Sequence, residues 1–91
     1  MKTLPEGLSR YKQTPEFTES TIPAGVRKAH NTKAGTWGKI VLRSGLLCYR
    51  ILEPEVVEFE LSPELPGIVE PEVLHEVEPL GEVSFHVEFY R

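Results

Sequence analysis

Proline is spread along the whole sequence and limits the secondary structure that the chain can form. Eight prolines occur in 91 residues, and a proline inside a helix removes a backbone hydrogen bond and clashes with the preceding turn. No segment has the 3.6-residue period of an amphipathic helix. Frequent turn signals instead separate short segments, several of which alternate apolar and polar residues. The sequence therefore predicts an all-β domain, arranged as a sandwich or a barrel.

The clearest strand pattern covers residues 82–90. Successive side chains of a strand point to opposite faces, so alternate residues share a surface. One face carries Val83, Phe85, Val87 and Phe89, and the opposite face carries Ser84, His86, Glu88 and Tyr90. We predict that the apolar set faces the core and that the polar set faces away from it.

Other strands are predicted wherever apolar runs lie between turn signals. The sequence Ser44-Gly45 is typical of a hairpin, and Pro79-Leu80-Gly81 of a turn. Residues 1–15 are polar and interrupted by prolines, so they are interpreted as an extended N-terminal arm on a single domain that covers residues 1–91. The remaining strands are predicted over residues 26–30, 36–43, 46–52, 57–61, 68–70 and 74–78.

The charges are divided unequally between the two halves of the chain. Residues 1–50 hold nine of the ten basic side chains, and residues 51–91 hold eleven of the fourteen acidic ones. The net charge of −4 argues against a nucleic-acid partner, because nucleic-acid-binding domains normally have a basic surface. We interpret the asymmetry as basic strands that lie beside acidic strands and neutralise them.

The sequence also bears on the cellular compartment. No apolar run approaches the roughly 18–20 residues that cross a bilayer, so no membrane partner is expected. The N-terminus lacks the apolar segment of a secretory signal, and a single cysteine, Cys48, cannot form an internal disulfide. A cytoplasmic location is therefore expected.

Common catalytic motifs are absent from the sequence. It contains no Gly-x-Ser-x-Gly elbow, no phosphate-binding loop, no dinucleotide glycine motif and no Cys-x-x-Cys pair. Three histidines, His30, His75 and His86, remain as candidates because imidazole is the commonest metal-ligand type. Each can equally be a hydrogen-bonded surface residue, and this is the favoured interpretation of His86.

Two histidine-containing blocks resemble a known family. Residues 30–39 (HNTKAGTWGK) and residues 69–78 (VEPEVLHEVE) are similar to the TehB/YeaR-like domain family, as are the opening residues 11–15 and the closing residues 88–90. The resemblance covers nearly the whole chain. It implies a cupin-like double-stranded β-helix, an antiparallel barrel, and it implies no established reaction. The family includes the N-terminal domain of some tellurite-resistance methyltransferases.

The resemblance also implies a metal site. It places His30 and His75 on the two strands that carry metal ligands in cupins, with the two rings a few ångströms apart. Two of the usual cupin ligands are missing, because Thr32 and Gly38 occupy their positions. Glu88 is the first choice for a further ligand and Glu70 the second, and the bound ion is expected to be divalent zinc, with iron as the alternative.

Two classes of function follow from these expectations. The first is a small cupin-like binding domain that holds a divalent metal, and through it an oxyanion or small ligand, in a stress or tellurite-resistance setting. The second is an enzyme that uses the metal as a Lewis acid or redox centre, with no catalytic residue assigned. Methyl transfer by this chain alone is excluded, because no glycine-rich loop for S-adenosylmethionine is present. A pure protein-interaction domain is a third interpretation, and a homodimer that uses residues 87–90 is the expected assembly.

Overall fold

The chain forms one antiparallel sheet with almost no helix. The computed structural model describes residues 1–28 and 31–91. Within this part of the chain the predicted all-β class is confirmed, since the one helix has four residues. No helix among these residues is long and apolar enough to cross a membrane. The elements, in chain order, are β1 (Arg10–Gln13), β2 (Phe17–Thr18), α1 (Ala24–Arg27), β3 (Trp37–Ile51), β4 (Val57–Leu61), β5 (Gly67–Val69) and β6 (His75–Tyr90).

Two long strands form the centre of the sheet. Strands β3 and β6, of 15 and 16 residues, pair from Trp37 opposite Tyr90 to Ile51 opposite His75. The hairpin predicted at Ser44-Gly45 is therefore wrong, and so is the turn predicted at residues 79–81. The register shifts between Gly45 and Leu47, because extra residues on β6 form a bulge. A bulge bends and twists a strand without reversing it, so each long strand unites two predicted strands.

The shorter strands flank this central pair. The sheet order is β1-β6-β3-β4, with β5 also paired to β3 and β2 also paired to β6. Strand β4 pairs with the second half of β3 and β5 with the first half. Strand β1 lies inside the segment that was predicted to be an extended arm. It pairs with the last residues of β6.

A helical turn replaces one predicted strand. Val26 belongs to α1, whose preceding residue Pro23 has extended backbone angles. Proline is favourable near a helix start because its fixed φ suits the first turn and its missing N–H is not needed there. Val26 packs against the core although it lies in a helix. The other end of that predicted strand, at residues 29–30, lies outside the described residues.

The core lies between the two halves of the bent sheet. Val83 and Phe85 are almost completely buried and Val87 is buried, which confirms their predicted orientation, and Phe89 packs partly against the same cluster. Tyr49, in the second half of β3, donates a hydrogen bond from Oη to the carbonyl of Ile68 in β5 at 3.0 Å. The remaining buried apolar residues are Ile22, Ile40, Leu42, Leu47, Tyr49, Leu61, Val69 and Val77.

Candidate functional site

His75 begins β6 and points into the interior. It is 5% exposed, and its ring meets the ring of Tyr49 edge-on, with centroids 5.7 Å apart. The ring Nδ1 lies 3.0 Å from the carbonyl oxygen of Val73. A carbonyl can only accept a hydrogen bond, so Nδ1 is the donor. The buried His75 ring is thus anchored to the backbone of Val73.

A small cavity lies beside His75. Its volume is about 40 Å³, whereas a pocket for a typical organic ligand has about 300–1,000 Å³. A buried water needs roughly 10–15 Å³, so the cavity can hold a few water molecules. It is too small for a cofactor. Its lining is mostly apolar: Thr14, Val26, Thr32, Gly38, Ile40, Val69, His75, Val77, Phe85, Val87 and Phe89.

Glu88 lies on the opposite face of β6 from His75. Its Oε2 is 2.9 Å from Nε2 of His86 and 3.3 Å from Nη1 of Arg10, and its Oε1 accepts a 2.6 Å hydrogen bond from the hydroxyl of Tyr90. Partial burial raises the pKa of Glu88, but the hydrogen bonds from His86 and Tyr90 outweigh it, so the net pKa lies below its ordinary value. Glu88 is therefore an ionised partner for neighbouring side chains.

Glu70 and His30 complete the predicted ligand set. Glu70 follows β5 and forms an ion pair with Nζ of Lys2 at 3.2 Å, while His30 lies outside the described residues. The predicted proximity of His30 to His75 therefore stays a prediction. Residues 1–28 and 31–91 contain no group of three or more His, Cys, Asp or Glu side chains that could hold a metal ion.

A second concave surface lies outside the core, and we call it the cationic groove. It has a volume of about 660 Å³ and is formed by the loop at residues 31–36 together with Tyr11, Lys12, Phe89 and Arg91. Three of its described lining residues are basic, namely Lys12, Lys33 and Arg91, and none is acidic. The sequence analysis missed this groove, because its residues come from both ends of the chain and from a central loop. The excess of basic residues in the first half was the available signal.

Specific contacts join the walls of the groove. The backbones of Ser9 and Arg91 exchange two hydrogen bonds of 3.1 Å, which extends the β1–β6 ladder. The guanidinium carbon of Arg91 lies 3.9 Å from the centroid of the Tyr11 ring. The Tyr11 hydroxyl lies 3.4 Å from Oγ1 of Thr36. These contacts hold β1, the end of β6 and the loop in one arrangement.

The loop itself is fixed to the body of the protein through Thr32. Its hydroxyl donates to the carbonyl of Thr36 at 2.9 Å, and its own carbonyl accepts from the backbone N–H of Glu72 at 3.1 Å. Gly35 has φ of +77°, a left-handed conformation that glycine adopts without strain. Residues 31–36, which belong to the family-like block at residues 30–39, therefore shape one wall of the groove.

Comparison with known proteins decides the family. The family model described as the TehB-like domain matches residues 12–87 of this chain. The chain belongs to the TehB-like domain family. The family expected from the two histidine-containing blocks is thereby confirmed.

The curated relatives of this TehB-like chain are longer proteins. Two curated relatives, from Haemophilus influenzae strains KW20 and 10810, are each named "Probable S-adenosyl-L-methionine-dependent methyltransferase TehB". Each is 40% identical over 77 residues, which cover 79% of this chain and 27% of the relative. The chain thus corresponds to about a quarter of their length.

Solved structures show the same fold. The crystal structure of TehB from Haemophilus influenzae matches with a TM-score of 0.86 and 36% identity, over 93% of this chain and 32% of that protein. A structural-genomics crystal structure of a protein from Escherichia coli K12 matches with a TM-score of 0.90 and 20% identity, over 100% and 97% of the two chains. The capsular polysaccharide assembling protein CapF from Staphylococcus aureus matches with a TM-score of 0.56 and 16% identity, over 97% of this chain and 29% of that chain. The last two likenesses concern the fold alone.

These relatives correct the functional expectations. The interpretation as a cupin-like domain that holds a divalent metal, zinc or iron, is wrong, and so is its alternative of a metal-dependent enzyme. The curated relatives are named for S-adenosyl-L-methionine, not for a metal. The error arose because cupin ligand positions were transferred to His30 and His75 by resemblance. Glu88 and Glu70 were then chosen as further ligands, although both are engaged by neighbouring side chains.

Proposed function

We propose that this chain is an accessory domain that acts together with an S-adenosylmethionine-dependent methyltransferase and does not itself bind that cofactor. The observation that carries the proposal is the extent of the match to TehB, which takes in 79% of this chain and only 27% of the relative. Most of each relative therefore lies outside the matched segment, and this remainder has room for a methyltransferase.

The surfaces of the described chain support this division of roles. The interior cavity of about 40 Å³ is far smaller than a pocket for an organic cofactor. The cationic groove is larger, but S-adenosylmethionine carries a sulfonium and an ammonium group against a single carboxylate, so it is a net cation. Lys12, Lys33 and Arg91 would repel these positive charges.

A titration of the isolated chain with S-adenosylmethionine tests the proposal. We expect isothermal calorimetry to give no saturable heat, which corresponds to a dissociation constant weaker than about 1 mM. The full-length TehB of Haemophilus influenzae, titrated in the same buffer, is the positive control. Saturable binding to this chain with a stoichiometry near one would contradict the proposal.

We also propose that the bent sheet closes into the cupin-like double-stranded β-helix that the resemblance implies, as a description of fold only. The 3.0 Å hydrogen bond from Tyr49 to Ile68 supports closure, because it joins the second half of β3 to β5 across the core. The cavity beside His75 supports it too, since residues from both halves of the sheet line it.

The assembly and location of the chain are part of the same proposal. We propose one domain over residues 1–91, which forms a homodimer and works in the cytoplasm. The single Cys48 suits a reducing compartment. Residues 87–90, the interface expected from the sequence, instead pair with β1 and β3. Val56, Val57 and Leu65 are large apolar residues at or near β4, and all three are exposed. Exposed apolar residues beside a strand edge are favourable for pairing with a second copy.

A further inference from the structure

We propose that the cationic groove is a binding site for a small oxyanion that carries two or more negative charges, of the phosphate or carboxylate class. The inference rests on the lining, charges and contacts of the groove. It goes beyond the proposed function and does not depend on a link to methyl transfer.

The charge balance of the chain makes the groove unusual. Four basic residues outside the groove form ion pairs with glutamates: Lys2 with Glu70, Arg10 with Glu88, Arg43 with Glu16, and Arg50 with Glu58 and Glu76. The described lining of the groove instead contains three basic side chains and no acidic side chain. The chain as a whole has a net charge of −4. A local concentration of positive charge in an acidic protein favours an anionic ligand from outside.

Aromatic rings hold two of these cations in place. Nζ of Lys12 lies 5.9 Å from the centroid of the Phe89 ring, and the guanidinium of Arg91 stacks on Tyr11 at 3.9 Å. Each contact has cation–π geometry. A guanidinium stacked on a ring keeps its N–H groups in its own plane, above the ring, where they can donate in pairs to a carboxylate or phosphate. Ordering the cations in advance lowers the entropic cost of binding.

Neutral donors extend the same surface. Asn31 and Thr36, whose side chains carry hydrogen-bond donors, line the groove together with Lys33. With a volume of about 660 Å³, the groove falls within the range of small-molecule sites. Its size favours an anion with several charged groups over a single monovalent ion, because several groups can meet the separate cations together.

An NMR titration with sodium pyrophosphate tests the inference on the isolated, ¹⁵N-labelled chain at constant ionic strength. We expect saturable shifts at the amides of Lys12 and of residues 33–36, with a dissociation constant below about 1 mM. Binding should weaken as salt is raised, because the cations are exposed to solvent. Malonate, a dicarboxylate, is titrated in parallel, and the tighter ligand identifies the class of anion.

Charge-removing variants show whether the groove is the site. We expect Lys33→Gln to weaken pyrophosphate binding about threefold to fivefold, as for the loss of one exposed ionic contact, and Lys12→Gln with Lys33→Gln to weaken it about tenfold or more. The matched control is Lys28→Gln, which removes the same charge from a surface that also contains Glu76 and Glu78. It should leave the affinity unchanged.

Three results would overturn the inference. The first is the absence of saturation with both anions. The second is equal weakening by the control and the groove variants, which would indicate a response to net charge alone. The third is saturable binding of an acidic peptide where neither pyrophosphate nor malonate binds, because the groove would then be a protein-docking surface.

Discussion

Replacement of Phe85 by alanine is expected to lower the free energy of unfolding by about 3–5 kcal/mol. Phe85 is 0% exposed and pairs with Leu42 across the centre of the sheet. Its ring meets that of Phe17 in an edge-to-face contact, with centroids 5.7 Å apart. The substitution removes this contact and leaves a cavity that the two central strands cannot easily fill. Domains of this size have about 5–15 kcal/mol of stability, so the loss is a large fraction of the total.

Urea unfolding followed by tryptophan fluorescence measures this loss. The matched control is Leu80→Ala, because Leu80 lies on the same strand but is 44% exposed. The control should change the free energy of unfolding by less than about 1 kcal/mol. Equal losses in the two variants would show that Phe85 is not in the core and that β6 has the opposite orientation.

Replacement of Gly45 by alanine is expected to cost about 3 kcal/mol or more, from strain and steric overlap together. Gly45 has φ of +83°, and a Cβ built there would lie 2.1 Å from the carbonyl oxygen of Glu82 and 2.9 Å from Cα of Val83. Both neighbours are backbone atoms of the paired strand, so neither can move without disturbing the bulge. The cost therefore arises where the two central strands bend.

Gly81→Ala separates the two contributions. Gly81 also has a left-handed backbone, with φ of +94°, but a Cβ there would meet nothing within 4 Å. We expect it to cost only the conformational penalty of about 1–2 kcal/mol. Thermal and urea unfolding of both variants give the comparison. If Gly45→Ala is no more destabilising than Gly81→Ala, the result would contradict the close approach of the two strand backbones at Gly45.

The bend also explains how much of the fold could be predicted from the sequence. Alternation over residues 82–90 correctly oriented Val83, Phe85 and Val87, because local periodicity depends only on which face is buried. The pair Ser44-Gly45 suits both a hairpin and a bulge, so local chemistry cannot choose between them. Pairing with residues about forty positions away makes the choice, and that information is not local.

The difference between local patterns and long-range contacts also applies to the candidate sites. The two histidine-containing blocks identified the family correctly, whereas the burial of His75 could not be deduced from its place at a bend in the sequence. The cationic groove was missed because Lys12, Lys33 and Arg91 are far apart in the sequence. They line one surface only after β1 pairs with the end of β6 and the loop at residues 31–36 folds beside them. The metal expectation failed because it assigned ligands from positions and not from contacts.

Exchange of this chain into TehB tests the central claim of an accessory role most directly. The segment of Haemophilus influenzae TehB that matches this chain is either deleted or replaced by residues 1–91, and S-adenosylmethionine consumption is measured with the acceptor that the parent enzyme uses. We predict that the replacement keeps turnover within about threefold of the parent, which corresponds to a change in the activation barrier below about 1 kcal/mol. The deletion should lower turnover by more than threefold. If the deletion leaves both turnover and the affinity for the acceptor unchanged, an accessory role for this domain is contradicted.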